Sequence, residues 1–569
     1  MASPRFPEPP PAVPATPLAD VDRVMDALHA NRKRWVETDI PRRIELLEAC
    51  IVTTLEAAEG WVAAACRAKG IQDGEQRQGE EWLAGPMATI RNLRLLVDAL
   101  KEGGQPRLPQ VRQRPDGQKI AQVFPRNTID KLLFTGFSGE VWIEPGQEPS
   151  QGKIYRDKRA GAASEGGVGV VLGAGNVASI GPMDALYKLF VDDEVVVVKT
   201  NPVNAYLGPY WEQSFKPLQD EGVFAVVHGG AEVGSYLCYD ARTASVHITG
   251  SDRTHDAIVW GADPEERARR QAENDPKLKV PISSELGAVT PVLVVPGAWS
   301  EADIDFQARH VAGMVANNGS FNCNAAKSLV VAAGWPQKQA FIERVRHHLS
   351  RTPGRKAYYP GAHDRYQGFL DNYPGAKPLI EGSDDVVPWT VIPGVKPSNE
   401  EYALTNEAFC GVLAEVELPA TTAAEFIEQM VPFANEQCWG TLSCMVMIHP
   451  STEKAHKGAF EEAIANLKYG GIGVNVWAGV IYALVSPTWG AFPGHTMTDI
   501  QSGRGFVHNT FLLDHPQKSV VRAPFRIKPT PAWFADHRNT AELGRRLTAF
   551  EAYPSLLKVP KVAIAALKG

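Results

Sequence analysis

The chain has 569 residues, 44% hydrophobic and 22% charged, with a formal net charge of −7. That length suits two or three domains around large cores, and the composition is that of an ordinary globular chain. The slight acidic excess gives no electrostatic ground for a nucleic-acid partner or an anionic membrane surface.

Residues 1–17 are rich in proline and lack the basic-then-apolar layout of a signal peptide, so a disordered leader is expected there. From Leu18 to about Gly103 the period is helical. Ile44, Leu47, Ile51 and Leu55 share one face, and Met87, Ile90, Leu93, Leu96 and Leu100 mark a second helix. No run approaches the roughly 20 apolar residues that span a bilayer, which predicts no membrane partner and a cytoplasmic location. Between Arg107 and Arg159 the pattern is irregular, with alternating pieces such as Glu140 to Glu144 that suit a projecting hairpin.

At Gly167 the rhythm changes. The short apolar runs Val168–Leu172, Val195–Val198, Val223–Val227 and Val246–Ile248 alternate with helical stretches. Buried strands alternating with helices predict a parallel, doubly wound α/β sheet, with sites at the carboxyl ends of its strands. The charged stretch Asp263–Lys279 is expected to be a solvated insertion. A second α/β region runs from about Trp299 to Val476, with strands near Ser328–Val331 and Cys444–Met447 and a helix through Phe341, Val345 and Leu349. The tail from Val485 onward, rich in glycine, proline and aromatics, has no clear period.

Two glycine turns compete for a phosphate. Gly173-Ala174-Gly175-Asn176-Val177-Ala178 follows a strand and opens a helix, matching a GxGxxA fingerprint but without the acid about 20 residues on. Thr249-Gly250-Ser251 also follows a strand and offers a helix N-terminus. Periodicity does not choose between them.

The seven cysteines, at 50, 66, 238, 323, 410, 438 and 444, form no CxxC pair and no zinc-spaced cluster, which predicts free thiols, no metal and a reducing compartment. Cys323 stands apart. Its neighbours, Asn317-Asn318-Gly319-Ser320-Phe321-Asn322 before and Asn324 after, are mostly small and polar, suiting an accessible thiol better than a core one. Cys410 is the weaker rival, because it leads into an apolar strand. Glu285, in Ser283-Ser284-Glu285-Leu286-Gly287, precedes the apolar run Val292–Val295. A carboxylate entering a buried strand needs a partner or a task.

Taken in order, Thr249-Gly250-Ser251, Glu285-Leu286-Gly287, Gly319 to Cys323 and Glu407-Ala408-Phe409 resemble the serial signatures of the aldehyde dehydrogenase superfamily. Asn435 to Gly440, Gly473-Val474-Asn475 and the glycine-rich Gly490–Gly505 extend the resemblance, which covers roughly Leu18 to Phe525. It implies a Rossmann-type cofactor-binding domain (18–130 and 160–298), an α/β catalytic domain (299–484) and a small β oligomerisation arm with closing segment (131–159 and 485–527). Residues 528–569 form an extension with no assigned role beyond packing in an oligomer. By the same resemblance Cys323 is the nucleophile, Glu285 the general base and Asn176 an oxyanion donor. Gly250 and Ser251 approach the pyrophosphate of NAD or NADP, Lys199 lies beside the adenosine ribose, and Glu407 with Phe409 holds the nicotinamide ribose. A small aldehyde and a homodimer or homotetramer are implied, and no metal.

Departures from the family pattern accompany these matches. Only the asparagine of the usual Pro-Trp-Asn turn is kept, at Asn176. Phe409 is followed by Cys410-Gly411 rather than Gly-Pro. Three residues rather than two separate Gly319 from Cys323, which predicts a bulged nucleophile loop. Pro202 replaces the acid that often follows the cofactor lysine, so NADP is expected to be slightly favoured. Two other readings stay open: an acyl-CoA or acyl-thioester reductase on the same fold, and a non-catalytic relative. Tyr358-Tyr359, Trp477 and Trp489 are candidates for the substrate entrance.

Overall fold

The computed structural model describes residues 2–9, 12–162 and 164–569. Its amino-terminal body is helical, as the spacing of its apolar side chains requires. Helix Leu18–Glu37 buries Val21, Met25, Leu28 and Trp35. Helix Ile40–Ala68, capped by Asp39, buries Leu46, Leu47, Cys50, Ile51 and Trp61. By length and composition that second helix is apolar enough to cross a membrane, contrary to the expectation from sequence; 56% of its most apolar window is buried inside the fold. It packs there on helices Ala88–Lys101 and Gly208–Ser214.

Three antiparallel strands follow: β1 (Gln110–Gln113), β2 (Lys119–Phe124) and β3 (Ser138–Ile143). The β element therefore begins at residue 110, earlier than the expected 131. Next come β4 (Val168–Leu172), β5 (Val195–Lys199), β6 (Phe224–Val227), β7 (Thr243–Gly250) and β8 (Ile282–Leu286), all parallel, in the order β6-β5-β4-β7-β8. The chain winds from β4 out to β6, then crosses back to set β7 against the other edge of β4. That reversal makes the gap between β4 and β7 the switch point, where a crevice opens outside the carboxyl ends.

The remaining strands are β9 (Pro291–Val294), β10 (Ser328–Ala332), β11 (Lys377–Pro378), β12 (Thr390–Val395), β13 (Val412–Leu418), β14 (Ser443–Met447), β15 (Gly471–Val474), β16 (Trp489–Gly490), β17 (Gly503–Arg504), β18 (Phe506–His508) and β19 (Pro516–Arg522). An eleven-stranded sheet runs β1-β2-β3-β19-β15-β14-β9-β10-β13-β12-β11. Strand β9 lies inside it, so the catalytic sheet begins before the boundary expected at residue 298. The tail serves both sheets: β19 joins β3 to β15, and β17 pairs antiparallel with β8 beside Glu285.

The charged stretch forms helix Pro264–Glu273, which buries no residue. The final extension does more than await a partner subunit. Its helix Thr540–Ala552 packs on Gln78–Met87, and buried Glu551 pairs with Arg91 at 2.7 Å and with Arg94.

The largest departure lies at the start of the chain. Instead of a disordered leader, the described residues before Leu18 are anchored to the body. Ala2 and Ser3 are buried, and their N–H groups donate to the Asp252 carboxylate at 2.8 and 3.3 Å. Thr16 and His228 exchange hydrogen bonds at 3.0 and 2.9 Å. Proline disfavours helix and sheet but suits an extended strap. Composition does not reveal that backbone amides hold such a strap down.

Candidate active site

Cys323 lies between helix Glu301–Ala316 and β10, on a loop where Asn318, Gly319 and Ser320 have φ of 52°, 66° and 69°. Three successive left-handed residues take up the extra residue before the cysteine, which is the expected bulge. Such a backbone is held only if its surroundings overdetermine it. They do so here through buried polar groups. Lys69 Nζ donates to Glu81 (2.8 Å), the Asn176 carbonyl (3.1 Å) and Asn318 Oδ1 (3.0 Å). The Tyr358 hydroxyl lies 3.1 and 3.0 Å from the last two acceptors. On the other side, Lys327 Nζ and Thr290 Oγ1 donate to the Cys323 carbonyl at 2.8 and 3.2 Å. The Asn176 amide, from the turn after β4, donates to the Phe321 carbonyl at 2.9 Å, two residues from the thiol.

Glu285, near the end of β8, is buried beside the Cys323 thiol and Trp489, and its Oε1 has no hydrogen-bond partner among the described residues. Burial first, and then the charges of Asp184 and Glu407, push its pKa up to about 7, with Cys323 and Trp489 opposing. The Cys323 thiol is pushed well above its usual range, first by burial and then by the Glu285 charge, with Lys327 opposing. The resting pair is therefore a thiol facing a carboxyl that titrates near neutrality, an arrangement suited to moving a proton between sulfur and oxygen. Cys323 is half-buried, whereas the other six cysteines are buried. Cys410, the rival nucleophile, is held up to about 12 by burial and does not line the cavity.

All eight residues singled out by sequence, Asn176, Lys199, Gly250, Ser251, Glu285, Cys323, Glu407 and Phe409, line one cavity of about 400 Å³. The two competing turns flank the switch point and differ in kind. The turn after β4 is buried from Gly173 to Asn176, and the helix that follows has no side-chain cap. After β7, Gly250 is exposed and Ser251 caps helix Asp252–Trp260, accepting from the Thr254 N–H at 3.2 Å. The second is thus the turn that presents an ordered helix N-terminus to the cavity. Thr249 faces inward, donating to Asp184 at 3.0 Å.

These residues fit a nicotinamide dinucleotide. Glu407 is buried 3.3 Å from Lys327, yet its Oε1 has no hydrogen-bond partner, an acceptor suited to a ribose hydroxyl. Its carboxylate reaches the cavity because position 287 is glycine: a Cβ there would lie 2.0 Å from Glu407 Oε2. Burial pulls Lys199 down to about 8, with Glu8 opposing, while its Nζ donates to the Thr200 and Gly229 carbonyls at 2.9 Å each. Among the described residues no group of three or more His, Cys, Asp or Glu side chains is placed to hold a metal ion. Of the entrance candidates, Tyr359 lines the cavity, Trp489 meets Glu285, and Trp477 donates to the Asn324 carbonyl at 2.9 Å.

Sequence reasoning missed the Lys69–Glu81 pair, Lys327, and the cavity-lining Phe6 and Glu8. A lysine and a glutamate on amphipathic helices look like solvated residues. No local pattern distinguishes them from surface charges.

Residues 195–358 match the model of the aldehyde dehydrogenase family. Among solved structures, glyceraldehyde-3-phosphate dehydrogenase GapN of Methanocaldococcus jannaschii, complexed with NADP, is 14% identical with a TM-score of 0.61, covering 90% of this chain and 95% of its own. Aldehyde dehydrogenase 21 of Physcomitrella patens, in complex with succinate, is 15% identical with a TM-score of 0.60, covering 90% and 91%. An indole-3-acetaldehyde dehydrogenase complexed with NAD+ is 16% identical with a TM-score of 0.59, covering 90% of each chain. Residues 195–358 thus resemble the aldehyde dehydrogenase family, and the fold of the whole chain is the one these solved structures share.

Proposed function

We propose that the protein oxidises a small aldehyde to the carboxylic acid with NAD(P)+ and water, through a covalent intermediate on Cys323. The observation that carries this reading is the buried Glu285 carboxyl, titrating at about 7 beside the Cys323 thiol, in one cavity with the residues proposed to bind the dinucleotide. Glu285 takes the thiol proton as sulfur attacks the carbonyl carbon, forming the C–S bond of a thiohemiacetal. The Asn176 amide and the Cys323 N–H stabilise the oxyanion; one such donor is typically worth about 3 kcal/mol. The bound nicotinamide supplies the hydride acceptor. Glu285, having released its first proton, then draws one from water, which attacks the thioester, breaks the C–S bond and frees the acid.

Gly250, Ser251, Lys199, Glu407 and Phe409 would hold the cofactor. On the residues after β5 alone NADP is favoured, because Pro202 offers no charge against a 2′-phosphate; a carboxylate from elsewhere in the chain alters that balance, as developed below. The proposal extends to assembly and place. The fully exposed edge strand β1 supports a homodimer or homotetramer through the β arm, seven free thiols support a reducing compartment such as the cytoplasm, and the net charge of −7 favours no nucleic-acid partner.

The test is NAD(P)H formation, followed by near-ultraviolet absorbance over a panel of aldehydes, for wild type and Cys323→Ala. Turnover abolished by the substitution is expected. Activity surviving in the variant sinks the covalent route, and release of an acyl-CoA in place of the acid when CoA is supplied would move the assignment to acyl transfer.

A further inference from the structure

We propose that the amino-terminal strap is a wall of the cofactor cavity and that Glu8 is its specificity residue, reading the adenosine ribose and favouring NAD over NADP. The inference rests on the dinucleotide reading above and deepens it.

The cavity has two ends. Cys323, Glu285 and Asn176 mark one; Lys199, Gly230 and Ala231, at the carboxyl ends of β5 and β6, mark the other. A dinucleotide whose nicotinamide meets the thiol must send its adenosine half to that second end. Leu172, Ile248 and Ile258 there supply the apolar walls that a base needs.

The strap runs along the cavity to this end. Besides the Asp252 contacts, the Ala2 carbonyl accepts the Glu407 N–H at 3.1 Å, and Arg253 Nε donates to the Ser3 carbonyl at 2.6 Å. The Phe6 ring lies 5.3 Å from those of Phe409 and Tyr359, edge-on to both. Between these anchors and the Thr16–His228 pair, the Glu8 carboxylate accepts the Ala231 N–H at 3.2 Å. Ala231 is the first residue of helix Ala231–Cys238. The approach depends on Gly230, where a Cβ would lie 1.7 Å from Glu8 Oε1. An anion already occupies the place where a helix N-terminus and the Lys199 ammonium together attract one.

The two cofactors differ at the adenosine ribose by a hydroxyl or a phosphate. A carboxylate accepts hydrogen bonds from a ribose diol, and the same carboxylate repels a 2′-phosphate and occupies its counter-charges. The acid missing at Pro202 is thus supplied by Glu8, which lies 223 positions before the Ala231 amide it accepts from. Glu8 is exposed to solvent outside the cavity contact, so its substitution does not threaten the core.

The test measures binding of NAD and of NADP to the full-length protein by calorimetry, without aldehyde, for wild type, Glu8→Gln and Glu8→Lys; kcat/KM for each cofactor is measured in parallel. Wild type is expected to bind NAD more tightly. Glu8→Gln is expected to raise the affinity for NADP relative to NAD about tenfold, and Glu8→Lys to raise it further. A ratio within twofold of wild type in both variants overturns the inference alone, as does an equal gain for both nucleotides, which would make the strap an obstruction without selectivity. Failure of wild type to bind either nucleotide overturns this inference together with the dinucleotide reading. A shifted binding ratio in a protein that turns over no aldehyde supports the role of Glu8 and sinks the proposed reaction.

Discussion

The two ends of the cavity are built in opposite ways. At the thiol end the nucleophile loop is held by buried polar groups: Lys69 ties Glu81 to Asn176 and Asn318, and Lys327 holds the Cys323 carbonyl, leaving Glu285 Oε1 without a partner among the described residues. At the adenosine end the walls are glycines, a helix N-terminus, one lysine and a strap laid on from outside. Chemistry needs reacting groups held within fractions of an ångström. Recognition of a ribose needs only the right charge in reach. The difference teaches where substitutions should be costly and where they should merely retune.

Glu285→Gln should strike hardest. Steady turnover is expected to fall about 10²–10⁴-fold, leaving a slowed burst of NAD(P)H as acyl-enzyme accumulates. Because burial raises the Glu285 pKa to about 7, the base form is lost below that pH; wild-type kcat should rise through about pH 7 and the variant profile should be flat. Full steady turnover in the variant would show that the thiol end is not as tightly determined as its contacts imply.

Lys69→Met removes the ammonium but leaves Glu81 buried and unpaired, a change that typically costs 3–5 kcal/mol. A large fall in the thermal midpoint is expected, with kcat falling more than cofactor KM rises. Equal changes in both would deny the lysine its hold on the nucleophile loop.

Gly287→Ala pushes a methyl into the space of the Glu407 carboxylate and should raise cofactor KM roughly tenfold, about 1.4 kcal/mol of binding, while the pH profile of kcat stays fixed. Ser251→Ala is the mildest: losing the cap of helix Asp252–Trp260 should cost about 1 kcal/mol of stability, with a several-fold rise in the KM of either cofactor. An unchanged KM for both would remove that helix N-terminus from the nucleotide site.

Much of this frame was legible in the chain. Runs such as Val195–Val198 state a doubly covered parallel strand outright, and the polar setting of Cys323 set it apart from six buried thiols. What escaped was non-local. Glu8 and Gly230 acquire meaning only when a strap of prolines lies across a distant helix, and Lys69 and Glu81 are ordinary charges until the nucleophile loop covers them. Strand β9 was assigned to the wrong sheet for a related reason: an apolar run announces a strand, but its neighbours are chosen by the whole topology.

The cysteine inventory has a practical consequence. With one half-buried thiol and six buried ones among the described residues, and with burial, the largest cause in each case, holding Cys50, Cys438 and Cys444 far from ionisation, the folded protein carries its own counter. An electrophile added in excess to the native state should consume one equivalent per chain, and the equivalents consumed report the fraction of molecules with an intact centre. Seven equivalents would appear only on unfolding, so the ratio of the two titrations measures the quality of a preparation without any substrate.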